Sequence, residues 1–380
     1  MNFIFIFAFL SLASAADLKI YIFNVGQCDS QLIVFPSGFT IMIDAGEPAG
    51  TTTESGVNAK YIAKRVESIL GKKKVDIFVL SHYHIDHMGG YKIGGIWYLL
   101  EKGGFTFGKF LKRNIGTYKG ASLSDCKKSG VTWKYVGPMS EKTAKFVCYA
   151  TATKDKTKLS KIAENAHRCN SEQIVPPDTG ALVRVLIRDA LGVKDKDGKA
   201  LSRNSMSDSV PVAENDFSVC MRIQYGDFVY STCGDLSGYY WKKTDFAYND
   251  VETSVAPMMG SVDVYHVNHH GSKSATNEKW CATLTPTVSV ISCGGGSLPA
   301  DRPLKNLKAI NSQVYTTATD CNQDVIKNYN NIIQMGDDVI ITYSYGAKTF
   351  TVANSKGEKV KTYNVKLNKP APAACTLLEK

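Results

Sequence analysis

Three of the chain's seven histidines stand within six positions, His82, His84 and His87 in "SHYHIDHMGG", with Asp86 among them. They follow "VDIFVL", an apolar run that reads as a buried strand ending where the cluster begins. Neutral imidazoles and a carboxylate on a loop leaving a strand suit a divalent ion. This spacing lets His82 and His84 reach one metal, and Asp86 and His87 a second. Another short stretch, "YHVNHHGSKS", supplies His266, His269 and His270, so six of the seven histidines fall in two segments. Chance clustering accounts poorly for that. The alternative reading is a set of surface or core histidines.

The rest of the pattern is strand-rich. "DLKIYIFNVG", "SQLIVFPSG" and "FTIMIDAG" predict three short strands separated by Gly, Pro and Ser. Val57 to Leu70 has apolar residues at helical spacing and is stopped by Gly71. "DFSVCMRIQYGDFVYSTCGD" predicts a hairpin turning at Gly226-Asp227. "VDVYHV" and "TVSVIS" are further strands with a helix between them. Strands with interleaved helices predict an α/β sandwich of sheets covered by outer helices. Residues from about 91 to 212 are rich in Lys, Gly, Ser and Thr, and read as a Lys-rich insertion within one domain spanning 17–355. A polar, extended C-terminal tail is expected over 356–380.

"MNFIFIFAFLSLASA" reads as a signal peptide over residues 1–15, with the small-x-small pattern Ala13-Ser14-Ala15. It is too short to span a bilayer, so a secreted or lumenal chain with no transmembrane span is expected. Ten cysteines, with no CxxC pair, fit an oxidising compartment and disulfides. The net charge of +10 favours a polyanionic partner such as nucleic acid, with plain solubility as the alternative. No obligate protein partner is implied. Asp235 in "STCGDLSG" and Asp44 in "IMIDAG" are strand-end carboxylates able to face a cleft, and either could equally be a turn residue.

At this point the motifs resemble a known family. "SHYHIDHMGG" is similar to the HxHxDH signature of the metallo-β-lactamase fold, an αβ/βα sandwich. "FNVGQCDSQLIV…IMIDAG", "NDFSVCMRIQYGDFVYSTCGD", "VNHHGSKSATNE" and "VSVISCGG" resemble, in order, the soluble hydrolase domain of ComEC-type DNA-internalisation competence proteins. The likeness covers Leu18 to Gly90 and Glu214 to about Val352. It implies two divalent metal ions, zinc first and manganese second. His82 and His84 would bind one, Asp86 and His87 the other, and Asp235 would bridge. His269 would complete the second site, with His270 facing substrate as proton donor. Asp44 would orient a ligand histidine.

Three departures stand out. The fold usually supplies one more histidine before the bridging aspartate. His167 is the one histidine in that interval, and it reads as a bystander, with Asn215 nearer the expected place. Cys28 replaces the glycine usual in "VGQGD", and Cys28 and Cys233 are candidates for a disulfide bracing the site. "GSLPADRP" lacks the histidine that bacterial relatives often carry.

The expected function is a secreted metal-dependent hydrolase of phosphodiesters, with nucleic acid as a candidate substrate. Asp86 would hold the nucleophile and His270 would protonate the leaving oxygen. Lys102, Lys109, Lys112, Arg113, Lys127 and Lys128 of the insertion could track a phosphate backbone, or form a solvated face. One alternative is hydrolysis of a carbon ester, lactone, thioester or β-lactam. Another is a non-catalytic nucleic-acid-binding or interaction module.

Overall fold

The computed structural model describes residues 17–120, 131–137, 139–204, 206 and 208–375. The expected signal peptide, Lys127 and Lys128 lie outside them. Two large sheets organise the fold. The first has nine strands in the order Lys361–Asn364, Thr349–Ala353, Val339–Tyr343, Leu18–Ile22, Gln31–Val34, Thr40–Ile43, Lys74–Val79, Thr106–Lys112 and Ala163–Asn165. The second has seven, in the order Ile332–Gln334, Gln313–Thr316, Val288–Ile291, Val264–His266, Phe228–Thr232, Cys220–Tyr225 and Ala181–Ile187.

Period-two alternation decides which side chains face which layer. In Thr40–Ile43, Ile41 and Ile43 point to the space between the sheets, while Met42 points to the outer helices. The inter-sheet core includes Ile20, Ile33, Val79, Ile223, Tyr230, Val264 and Ile341. On the outer face of the first sheet, Phe78 and Phe110 share a core with Ile62 and Val66 of helix Ala59–Leu70 and with Phe146 of helix Glu141–Thr151. Across the second sheet, Tyr265 and Val314 pack with Val255 of helix Glu252–Met259, Trp280 of helix Glu278–Leu284 and Leu304 of helix Asp301–Ala309. The layers therefore run helix, sheet, sheet, helix, the αβ/βα sandwich expected. Truncating a residue such as the fully buried Ile20 to Ala would cost about 2–5 kcal/mol.

The expected insertion, about 91–212, contributes to both main sheets: Thr106–Lys112 pairs with Lys74–Val79, and Ala181–Ile187 pairs with Cys220–Tyr225. The C-terminal stretch is not simply extended: Lys361–Asn364 adds the edge strand of the first sheet, and Cys375 is disulfide-bonded to Cys169. Their partners are distant in sequence, so local composition could not reveal them. Cys233 pairs with Cys220 and not with Cys28, whose thiol is free and buried. Met221 lies opposite Thr232 across the 226–227 hairpin, which carries Cys220 to Cys233. Among the described residues, no helix is long and apolar enough to cross a membrane.

Candidate metal centre

The C-terminal ends of parallel strands from both sheets meet at one edge of the sandwich, and their loops build the centre. Thr40–Ile43 delivers Asp44, and Lys74–Val79 delivers Ser81 and His82. His84 precedes the one-turn helix Ile85–Met88, which carries Asp86 and His87. From the second sheet, Phe228–Thr232 runs into Gly234 and Asp235, and Val264–His266 runs into His269 and His270. Backbone bonds stitch the first set of loops together. The N–H groups of Asp29, Ala45 and Glu47 donate to the carbonyls of Asp86 (2.9 Å), His87 (2.7 Å) and Ile85 (2.9 Å). Gly46 permits this approach, since a Cβ there would lie 1.7 Å from the Asp86 carbonyl oxygen. Gly234 is required for the same reason and a second one: a Cβ would meet Ser81 at 2.6 Å, and its φ is +53°.

Two groups of potential ligand atoms result, sharing Asp235. His82, His84 and Asp235 form one; Asp29, His87, Asp235 and His270 form the other, with ligand atoms in each group within 4.8 Å of one another. His82 Nε2 lies 3.0 Å from His84 Nδ1, and His87 Nε2 lies 3.0 Å from Asp235 Oδ1. In the second group Asp29 Oδ1, His87 Nε2, Asp235 Oδ1 and His270 Nε2 are buried without a hydrogen-bond partner. Buried polar atoms are seldom left so, because desolvation without a partner costs about 1–3 kcal/mol each. Four of them converging on one point fit a divalent cation, which would satisfy all four. The donors are imidazole and carboxylate, with no thiolate, a set suited to zinc, manganese or iron.

The outer groups fix the tautomers. His87 Nδ1 donates to Asp44 Oδ2 at 2.8 Å, leaving the Nε2 lone pair to face Asp235. The Ser81 hydroxyl also donates to Asp44 Oδ2 at 2.6 Å, and the Ser81 N–H to Oδ1 at 2.8 Å; burial raises the Asp44 carboxyl above its usual value, and these donors with His87 offset part of that. His270 Nδ1 donates to the Ser292 carbonyl at 3.1 Å. Asn215 Nδ2 reaches Asp235 Oδ2 at 3.0 Å and His269 Nε2 at 3.1 Å. His266 Nε2 lies 3.3 Å from Asp29 Oδ1, and its Nδ1 lies 3.3 Å from Gln31 Nε2.

Charge in the centre is redistributed accordingly. Burial alone would raise the Asp235 carboxyl, but His87, His269, His270 and His82 around it hold it well below the usual range. Burial works to lower His270, yet Asp235, Asp86 and Asp29 push it up to about 9. His269 is lowered to about 4, mainly by burial.

The sequence-predicted residues thus divide. His82, His84, His87 and Asp235 fall in the two groups, Asp44 contacts His87, and Asn215 contacts Asp235. His269 and His270 take places opposite to those expected: His270 is in the four-residue group, and His269 lies outside both, its Nε2 3.6 Å from Asp235 Oδ2. Both residues adopt left-handed backbone, φ +51° and +53°, a turn that sends adjacent side chains in directions the sequence does not reveal. Asp86 stands beside the four-residue group, its Oδ2 3.6 Å from His270 Nε2. Asp29 was missed. Its only signal was its place in "VGQCDSQ", a stretch without a histidine. His167 is exposed and belongs to neither group.

The basic track expected along the insertion does not form from the described residues. Arg113 is fully buried, bridging Asp189 at 2.9 Å and the Glu214 carboxylate. Lys112 is buried and donates to Asn165 Oδ1 at 2.7 Å. Lys102 and Lys109 pair with Glu54 and Glu164.

Comparison with known proteins gives three results. Among curated proteins none matches. A new diphosphatase from the PhnP family, known from a crystal structure, is similar over 84% of this chain and 85% of that chain, at 12% identity and a TM-score of 0.36. Residues 23–92 match the family model of the metallo-beta-lactamase superfamily, a span that holds Asp29, Asp44 and His82 to His87. With the αβ/βα sandwich and the two His/Asp groups, that match supports a metal-dependent hydrolase of metallo-β-lactamase fold.

Proposed function

We propose that the chain is a secreted phosphodiester hydrolase akin to the ComEC-type domains, holding two divalent ions, zinc first. The observation that carries the reading is Asp235, one carboxylate placed between a His82/His84 pair and an Asp29/His87/His270 set. The net charge of +10 favours an anionic substrate over a neutral ester. His82, His84 and Asp235 would hold one ion and Asp29, His87, Asp235 and His270 the other, and bound ions would acidify a water and offset phosphoryl charge.

The chain's own residues do the rest. Asp44 and Ser81 hold His87 with its Nε2 turned inward. Ser274 Oγ meets His269 Nδ1 at 3.0 Å, and Asn215 meets its other nitrogen, so this ring is fixed at the rim with 14% exposure. His269, outside both ligand groups and partly exposed, therefore stands where an incoming substrate would meet the rim, its Nε2 accepting from Asn215. Asp86, with 28% of its side chain exposed and its Oδ2 3.6 Å from His270 Nε2, can accept a proton from an incoming water.

The test is cleavage of bis-p-nitrophenyl phosphate by the mature metal-loaded chain, beside His82→Ala/His84→Ala. Cleavage lost in the double variant is expected. Metal-loaded wild type that spares this substrate but opens a p-nitrophenyl carboxylate ester would replace the proposal with a carbonyl hydrolase.

A further inference from the structure

A short hairpin, Trp241–Lys242 paired with Ala247–Tyr248, overhangs the centre. Trp241 lies directly opposite Tyr248, so the two rings share one face. That face looks at the metal ligands' rim: the Tyr248 ring is 5.5 Å from the His269 ring. Phe246, at the turn, packs edge-on against Tyr248 at 5.3 Å and lines a narrow opening together with His84, Glu214 and Asn215. Two ammonium groups belong to the same face. Lys243 Nζ lies 5.4 Å from the Phe246 and Tyr248 rings and 5.9 Å from Trp241, while Lys273 Nζ sits 3.3 Å from the Trp241 centroid. Lys243 and Lys273 are exposed, Trp241 and Phe246 half-buried, and Asp245 is the one carboxylate at the hairpin tip.

The half-buried rings of Trp241 and Phe246 leave flat apolar area open to a partner, and the ammonium groups beside them draw in anions. The pairing of flat apolar faces with ammonium groups, at the mouth of a centre built for a phosphoryl group, matches one kind of molecule. We infer that the hairpin 241–248 is a substrate wall that selects a phosphodiester bearing an aromatic or heteroaromatic substituent, the ring stacking on Trp241 and Phe246 and the phosphate oxygens meeting Lys243 and Lys273. The inference rests on the phosphodiester reading for the chemistry at the centre, but the recognition it describes precedes any bond cleavage.

Binding therefore tests it apart from turnover. Titration calorimetry on the metal-loaded mature chain compares diphenyl phosphate with dimethyl phosphate, which carry the same charge. Wild type should bind the diphenyl ester about tenfold or more tightly. Trp241→Ala/Phe246→Ala should erase that preference while keeping wild-type metal content and melting temperature. Lys243→Gln should weaken both ligands and reduce the salt dependence of binding. Equal affinity of wild type for the two esters overturns the inference, as does a preference that survives in the double variant. A preference seen in protein that cleaves no phosphodiester would leave the wall standing and remove the hydrolytic reading. Cleavage without the preference would do the reverse.

Discussion

Asp44 Oδ2 accepts the Nδ1 proton of His87 at 2.8 Å, and both groups are fully buried. This one contact decides which nitrogen of His87 faces Asp235. Outer partners of this kind set ligand orientation and basicity, and losing one costs about 10–100-fold in metal affinity. Asp44→Ala should fall in that range for zinc, measured by competition with a chromophoric chelator. Affinity within about twofold of wild type would show that the ring is held by packing alone.

Asp29 extends the account to a residue without histidine neighbours. It completes the four-residue group, and His266 backs it at 3.3 Å. Asp29→Ala should lower metal content towards one equivalent while His82 and His84 keep theirs. Unchanged content would assign Asp29 to the support of His266 instead.

Arg113 makes a structural prediction. Its guanidinium is enclosed by Glu214 and Asp189, and Glu214 Oε1 also accepts the Tyr83 N–H at 2.9 Å, next to His82. Arg113→Met leaves the buried Glu214 carboxylate without its cation, while Asp189 keeps Arg188 at 2.6 Å, a loss of about 3–5 kcal/mol. Urea unfolding followed by circular dichroism measures it. A loss under about 1 kcal/mol would mean water reaches the pair.

Glu252 gives a pH dependence with a definite sign. Its carboxylate accepts from Asn268 Nδ2, Thr276 N–H and Asn277 N–H, each at 2.7 Å, and so ties helix Glu252–Met259 to the loop carrying His269 and His270. Burial nonetheless pushes its pKa up from 4.5 to about 8. A folded pKa above the unfolded one means the folded state binds the proton more tightly. The contribution is therefore complete below pH 4.5 and is lost as pH rises towards about 8. Wild-type stability relative to Glu252→Gln should decline across that window. A difference that stays level would show that the three donors keep the carboxylate ionised.

Much of this was legible in the sequence, and the failures have physical causes. Helix Ala59–Leu70 and the Gly226-Asp227 turn follow from local periodicity and turn chemistry, and so they were readable. The division of His82 and His84 from His87 follows from spacing on a loop and a single helical turn. Arg113 misled because its partners lie 76 and 101 residues away, and nothing nearby marks it as buried. Asp29 and the exchange between His269 and His270 depend on backbone geometry that brings separate loops together, which no local pattern encodes.

The central claim is that Asp235 joins two ion-binding groups. The direct measurement is metal content by mass spectrometry on the mature chain purified without chelator, wild type beside Asp235→Ala. Two equivalents of zinc or manganese in wild type, falling below one in the variant, is the predicted result. No bound metal in wild type would contradict the account.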